Sequence, residues 1–298
     1  MSAYRFCRTD DIGLLVDALN RCWAPYVPDE PPMTPEAFKR SIRNLQVWCS
    51  SCMVAFSGAD PIGVLIGAKR PSGTLIHTIA VHPDHVRQGH ARHLLASLGS
   101  KLSILGPPRM VAEVPETFAP ACALFGGCGY VQEARLTDYV LQREAIDVRE
   151  PPGLNEAFVI PVTIDDLAAN GLLGEAPPSA RQVHQVCWER SVETLTARKD
   201  DLAGLAIASD ERIEAYILYL AGALAEAGPG AEIMSLRSVI EDGGARLKQL
   251  LAQLHARGMR TCRFQKVHPA EFSKESLEAL GFRPTGAHQL YASTARSG

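Results

Sequence analysis

The chain carries one structural plan twice, and that repetition limits its fold more than any other feature. Tyr4-Arg-Phe-Cys-Arg-Thr-Asp-Asp-Ile is echoed by Phe158-Val-Ile-Pro-Val-Thr-Ile-Asp-Asp-Leu: a short strand, then an acidic pair at a helix start. VAFSGADPIGVLIGAKR (54–70) is echoed by LAIASDERIEAYILYLA (205–221), each reading strand, polar turn, strand, the signature of a hairpin. LIHTIAV (75–81) and EIMSLRSV (232–239) follow, and each leads through a glycine-bearing loop into an amphipathic helix. In the first helix Ala91, Leu94, Leu95, Leu98, Leu102 and Leu105 keep helical spacing until Gly106-Pro107-Pro108 stops it. In the second, Leu247, Leu250, Leu251 and Leu254 do the same before Gly258. Each half then shows a strand (MVAEV, 110–114; TCRFQKV, 261–267), a short helix, and a glycine-aromatic pair, Gly129-Tyr130 or Gly281-Phe282. LTDYVLQRE and HQLYAST close the two halves as strands.

The predicted fold is therefore α/β (α+β), with two similar domains of order β-α-α-β-β-β-α-β-α-β. Each is a mixed, mostly antiparallel twisted sheet with a central parallel β-α-β unit and flanking helices. The expected boundaries are 1–148 and 155–298, with 149–154 as linker, where two prolines and a glycine interrupt the pattern. A chain of 298 residues, 46% hydrophobic and 21% charged, is long enough to bury a core in each half.

The formal net charge of −3 gives no support to nucleic-acid or anionic-membrane binding, and neither is expected as a partner. No run approaches the roughly 18 apolar residues needed to span a bilayer. MSAYRFCRTDD lacks the apolar core of a signal peptide, so the expectation is a cytoplasmic protein, monomer or homodimer. Of eight cysteines, only Cys49-x-x-Cys52 forms a close pair, and no second Cys/His pair has zinc spacing. These read as reduced structural thiols, and no metal is expected.

The chemistry concentrates in VHPDHVRQGHARHLL, 81–95. A helix N-terminus presents unpaired backbone N–H groups and the positive end of a dipole, both suited to phosphate oxygens. Gly89 and Ala91 are small enough for a ligand to approach that backbone, and Arg87, Gln88 and Arg92 add donors around it. With strand, basic loop and Gly-x-Ala helix start inside a repeated β-α-β plan, the chain resembles the GNAT superfamily of acyl-CoA-dependent N-acyltransferases. That superfamily's pyrophosphate loop reads Arg/Gln-x-x-Gly-x-Gly/Ala. Val86-Arg-Gln-Gly-His-Ala stands here, departing at Val86. The resemblance implies acetyl-CoA as cosubstrate, held by Ile79, Ala80, Val81, Val86, Arg87, Gln88, Gly89, His90, Ala91 and Arg92. Its pantetheine would lie between the strand ending at Val81 and the strand at 110–114.

In the second half only Ile-Glu-Asp-Gly-Gly separates Val239 from the helix, and Glu241-Asp242 put negative charge where phosphate would sit. That half is expected to be a degenerate GNAT-like domain that serves as a scaffold or as a wall of the acceptor site. The tandem architecture is similar to mycothiol synthases, whose competent site lies in the C-terminal copy. Here the loop lies in the N-terminal one, so that function is not carried over.

Acetylation of a primary amine by direct attack needs a base near the amine and a proton for the departing thiolate. HTIAVH resembles the arylalkylamine N-acetyltransferase pattern, which makes His77 the expected base, although that branch's second His is Leu75 here. Glu113 on the neighbouring strand is the second candidate. The family's usual acid, a tyrosine in the short helix, is replaced by Phe125, and by Leu277 in the other half. Trp23, Tyr26, Asp29 and Glu30 in CWAPYVPDEPP combine aromatics with carboxylates, suiting a small cationic amine with an apolar body. The expected activity is acetyl transfer from acetyl-CoA to such an amine. A non-catalytic acyl-CoA-binding module is the alternative.

Overall fold

A computed structural model describes residues 2–142, 158–173, 186–223 and 228–294. The expected linker at 149–154 lies outside the described residues. The first copy runs β1 (Ser2–Phe6), α1 (Ile12–Cys22), α2 (Pro35–Leu45), β2 (Met53–Ser57), β3 (Asp60–Arg70), β4 (Gly73–Val81), α3 (His90–Leu105), β5 (Arg109–Pro115), α4 (Ala119–Gly127) and β6 (Val131–Gln142). The second runs β7 (Phe158–Pro161), α5 (Ile164–Ala169), α6 (Val192–Ala197), β8 (Ala203–Ala208), β9 (Ile213–Ala223), β10 (Pro229–Ser238), α7 (Ala245–Ala256), β11 (Thr261–Val267), α8 (Lys274–Ala279) and β12 (Arg283–Thr294). Among the described residues both copies show the order of strands and α-helices read from the sequence.

In space the chain forms two compact units: Met1–Ala134 with Gln289–Gly298, and Arg135–His288. A cut near 149–154 separates the copies along the sequence, but each copy's last strand ends in the other unit. Thr137–Gln142 of β6 pair antiparallel with β11, and the end of β12 lies beside β5. Hydrogen bonding between strands sets this exchange, and no local pattern in the chain announces it.

Within the first unit the strand order is β1-β2-β3-β4-β5, antiparallel except for the parallel β4–β5 pair. The parallel pair needs a crossover, and α3 supplies it. Its stripe of Leu94, Leu95, Leu98 and Leu102 packs on Met53, Leu65, Ile76 and Met110, each leucine fully buried. Burial of that kind contributes roughly 2 kcal/mol per leucine. Gly106, at φ 48°, ends the helix before Pro107, which has no N–H to continue it. The second unit follows the same logic in the order β7-β8-β9-β10-β11, with β10–β11 parallel and α7 packing through Leu247, Leu250, Leu251 and Leu254. Thr163 and Asp166 form a capping box that starts α5. Among the described residues no helix is long and apolar enough to cross a membrane.

The cysteines sit in this framework as free thiols. Cys49 and Cys52 flank a tight 3-10 turn, and the Cys52 Sγ–H donates to the Trp48 carbonyl at 3.3 Å. Burial pushes the Cys7 thiol up to about 12 and the Cys22 thiol up to about 11, so both stay protonated at neutral pH. Cys122 and Cys128 are only half-buried. Alkylation of the folded protein in mildly alkaline buffer is therefore expected to label Cys122 and Cys128 first. Cys7, Cys22 and Cys52 should react only when denaturant is added; mass spectrometry of the labelled peptides checks the order.

Candidate active site

Two parallel strands part in the first unit, and the site is the gap they leave. β4 and β5 pair at Thr74↔Met110 and Leu75↔Val111, while β4 continues to Val81 and β5 to Pro115. At the same level the β3–β4 register slips: Ile66 faces Thr78 and Gly67 faces Ile76, leaving His77 as the extra residue of a β-bulge. A bulge bends its strand and redirects the residues beyond it. Gly67 is required here because a Cβ would stand 2.5 Å from the Ser51 carbonyl oxygen. The parted strands, the start of α3 and the inner side of α4 enclose a cavity of about 550 Å³.

At one end lies the glycine-bearing turn. Pro83–His85 form a 3-10 turn, with the His82 Nδ1 accepting from the Asp84 N–H at 3.3 Å. Arg87 then adopts φ 63° and Gly89 φ 86°, and α3 begins at His90 with no side-chain cap. A left-handed non-glycine residue costs of order 1 kcal/mol, and such conformations turn successive N–H groups into one concavity that suits an anion. Arg87 and Arg92 add charge at its rim, both lining the cavity. All ten residues expected around the cosubstrate line this cavity except Gln88, which is exposed outside it. A residue missed in the sequence holds the turn in place. The Tyr4 hydroxyl on β1 lies 2.6 Å from His90 Nδ1, and the Tyr4 ring packs against His93 with centroids 3.8 Å apart. His90 is 6% exposed, so Tyr4 ties the first turn of α3 to the sheet.

His77 and Glu113 both line the cavity. His77 is exposed at the bulge with Nδ1 2.9 Å from Thr78 Oγ1, and Glu113 is half-buried on β5. Trp23 meets Phe118 edge-on at 5.8 Å, and both line the same space. The Tyr26 hydroxyl donates to the Val81 carbonyl at 2.7 Å, pinning the segment after α1 to the end of β4, and burial pushes that phenol up. Asp29 and Glu30 do not join them. Both are exposed and outside the cavity, because the Glu30 N–H closes a turn on Val27 that carries 28–30 into solvent. Phe125 is 2% exposed and lines the cavity, with Tyr130 against its edge.

The second unit has the same strands and spends them differently. β10 and β11 pair from Gly230↔Thr261 to Glu232↔Arg263, and β11 runs on alone from there toward Val267 on that side. Beyond that point the buried Arg190 donates from Nε to the Gln265 carbonyl (3.0 Å) and from Nη2 to the Lys266 carbonyl (3.1 Å). Its fork also pairs with both Glu271 oxygens at 2.6 and 2.7 Å, over the face of Phe264. At the start of α7 the Asp242 carboxylate accepts from the Gly244 and Arg246 N–H groups at 2.9 and 2.8 Å. The charge expected to repel phosphate thus sits on the helix amides itself. Glu271→Ala would leave Arg190 buried without its counter-ion, so a loss of about 3 kcal/mol is expected in urea unfolding.

Tyr4→Phe tests the anchoring of the turn in the first unit. It leaves His90 Nδ1 without its partner, which costs about 1 kcal/mol. CoA is expected to bind about 5-fold more weakly by calorimetry, with the fold retained.

Residues 15–130 match the Acetyltransferase (GNAT) family. No curated protein sequence matches the chain. The structure is similar to a GCN5-related N-acetyltransferase from Anabaena variabilis, at TM-score 0.68 and 12% identity, over 99% of this chain and 73% of that one. It is also similar to a tandem GNAT protein from the clavulanic acid biosynthesis pathway, at 0.63 and 17%, over 100% and 99%. A GCN5-related N-acetyltransferase from Sphaerobacter thermophilus gives 0.66 and 14%, over 100% and 96%. Identities this low speak for the fold, while the match over 15–130 falls on the copy that holds the cavity. The family match lies within the first copy, and the chain as a whole shares the fold of a tandem GNAT protein.

Proposed function

We propose that the first unit transfers the acetyl group of acetyl-CoA to the primary amine of a small molecule, in the cytoplasm, by direct attack. The family's chemistry is acyl transfer from acyl-CoA. One observation carries the finer reading: an uncapped helix N-terminus, a parted strand pair and two proton-accepting side chains share one cavity. The turn at Arg87–Gly89 suits the pyrophosphate, and the free edges of β4 and β5 suit the amides of the pantetheine arm. Trp23, Tyr26 and Phe118 wall the acceptor end, and Glu113 contributes a carboxylate to the same lining. His77 takes the proton from the attacking nitrogen, and Glu113 holds the amine near it.

His77→Gln is expected to lower kcat/KM about 100-fold, remove the acid limb of its pH profile and leave CoA affinity unchanged. An unchanged profile would move the base to Glu113, which Glu113→Gln examines in the same assay. Phe125 favours a second reading, a module that binds acyl-CoA without turning it over, because a hydroxyl usual in the family is missing there. A panel of primary amines with acetyl-CoA, run beside thermal stabilisation by CoA, separates the two. Stabilisation without turnover supports the module, and no stabilisation by any CoA ester refutes both.

A further inference from the structure

The first residue of α3 is a histidine whose ring is only half satisfied. His90 follows Gly89 directly, is 6% exposed and itself lines the cavity. Its Nδ1 lies 2.6 Å from the Tyr4 hydroxyl on β1. Among the described residues nothing hydrogen-bonds its Nε2, which is buried as well. A buried polar atom without a partner has lost its water and gained nothing in return. The His85 ring stands edge-on to the His90 ring at 6.4 Å and lines the same cavity. The other charged or titratable groups around the turn are His82 and the exposed Asp84 before it, Arg87 within it, and Arg92 and His93 on α3. His93 packs on the Tyr4 ring, and His77 and Glu113 lie further along the cavity.

We infer that His90 takes up a proton as the diphosphate of CoA enters the turn, so that cosubstrate affinity rises as pH falls; the inference rests on the cosubstrate reading above. With the Tyr4 O–H donating to Nδ1, the ring's one hydrogen sits on Nε2. A second proton, taken from solvent, goes to Nδ1, and the Tyr4 oxygen then accepts where its hydroxyl had donated. The tie between α3 and β1 therefore survives the change of charge. That charge arises on the first residue of an uncapped helix, where burial leaves little water to screen it. An anion seated in the turn favours the charged imidazole over the neutral one there. Arg87 and Arg92 carry their charge at any working pH, whereas imidazole is the side chain that changes charge between about pH 5 and 8. Proton uptake on binding means, by linkage, that affinity weakens as pH rises.

Titration calorimetry of the full chain in buffers of different ionisation enthalpy counts the protons taken up. Dephospho-CoA is the probe, because its diphosphate stays ionised across the imidazole range and it has no phosphate monoester to titrate alongside. About half a proton should be taken up per molecule bound near pH 7, with affinity about 5-fold greater at pH 6 than at pH 8. His90→Asn keeps an acceptor for the Tyr4 hydroxyl but cannot take a proton. Uptake and pH dependence should vanish in that variant, while its affinity at about pH 8 stays near that of wild type. His85→Gln and His93→Gln should keep the uptake. In wild type near pH 7, imidazole nitrogen NMR should show His90 moving toward its doubly protonated form as dephospho-CoA saturates the site. Binding without proton uptake, or uptake that His90→Asn retains, overturns the inference. Should His90→Asn fail to fold, His90 resonances that do not move on saturation overturn it instead. Binding with turnover of no amine sinks the acetyl-transfer reading alone, and proton uptake still decides this one. No binding by any CoA ester overturns both.

Discussion

β4 and β5 hydrogen-bond at Thr74↔Met110 and Leu75↔Val111 and then run apart, which exposes main-chain polar groups in the middle of a sheet. Such groups, left buried and unpaired, cost about 1–3 kcal/mol each. The rest of the first unit is arranged around that cost. The bulge at His77 turns β4 away, and Gly67 permits the close approach that the bulge demands. Tyr26 satisfies the Val81 carbonyl at the strand end, and Tyr4 ties the start of α3 to β1. What stays open is a lined space with free amides at one end and two proton acceptors along it.

The second unit meets the same constraint with its own side chains. Arg190 satisfies the Gln265 and Lys266 carbonyls beyond the point where β10 and β11 stop pairing. Asp242 satisfies α7 amides that correspond to the free ones of α3. A buried guanidinium and a capping carboxylate are internal counterparts of the groups a ligand would bring. Both are held within hydrogen-bonding distance, so a ligand would have to displace them before gaining anything. Holding these partners stabilises the fold at the expense of a site, whereas the first unit leaves the equivalent positions open.

Periodicity carried most of the architecture. The leucine spacing of α3 and α7, the two hairpins and the glycine-proline stop after Leu105 are local signals, and each element stands where they placed it. The glycine-bearing turn was legible for a similar reason, since left-handed backbone and a helix start are written in neighbouring residues. Pairing of distant strands has no such local trace. The exchange of β6 and β12, and with it Tyr291, follows from which strand edges meet. Asp29 and Glu30 show the same limit, because charge is visible in a sequence and the turn that aims it outward is not. Tyr4 was hidden for another reason: an aromatic in a first strand reads as core until its hydroxyl is found 2.6 Å from His90.

Phe125 shows what a position-by-position reading leaves out. Judged by its own place on α4, it means a missing proton donor and a weakened case for catalysis. In a chain whose last strand finishes in the first unit, the residues around that place include some from the far end of the sequence. The Tyr291 ring stacks on that of Phe125, while its hydroxyl donates to Gln289 on its own strand. That stacked aromatic pair is worth about 1 kcal/mol beyond the area it buries. β12 begins in the second unit and finishes in the first, so the second copy's final strand supplies Tyr291 to the core against Phe125.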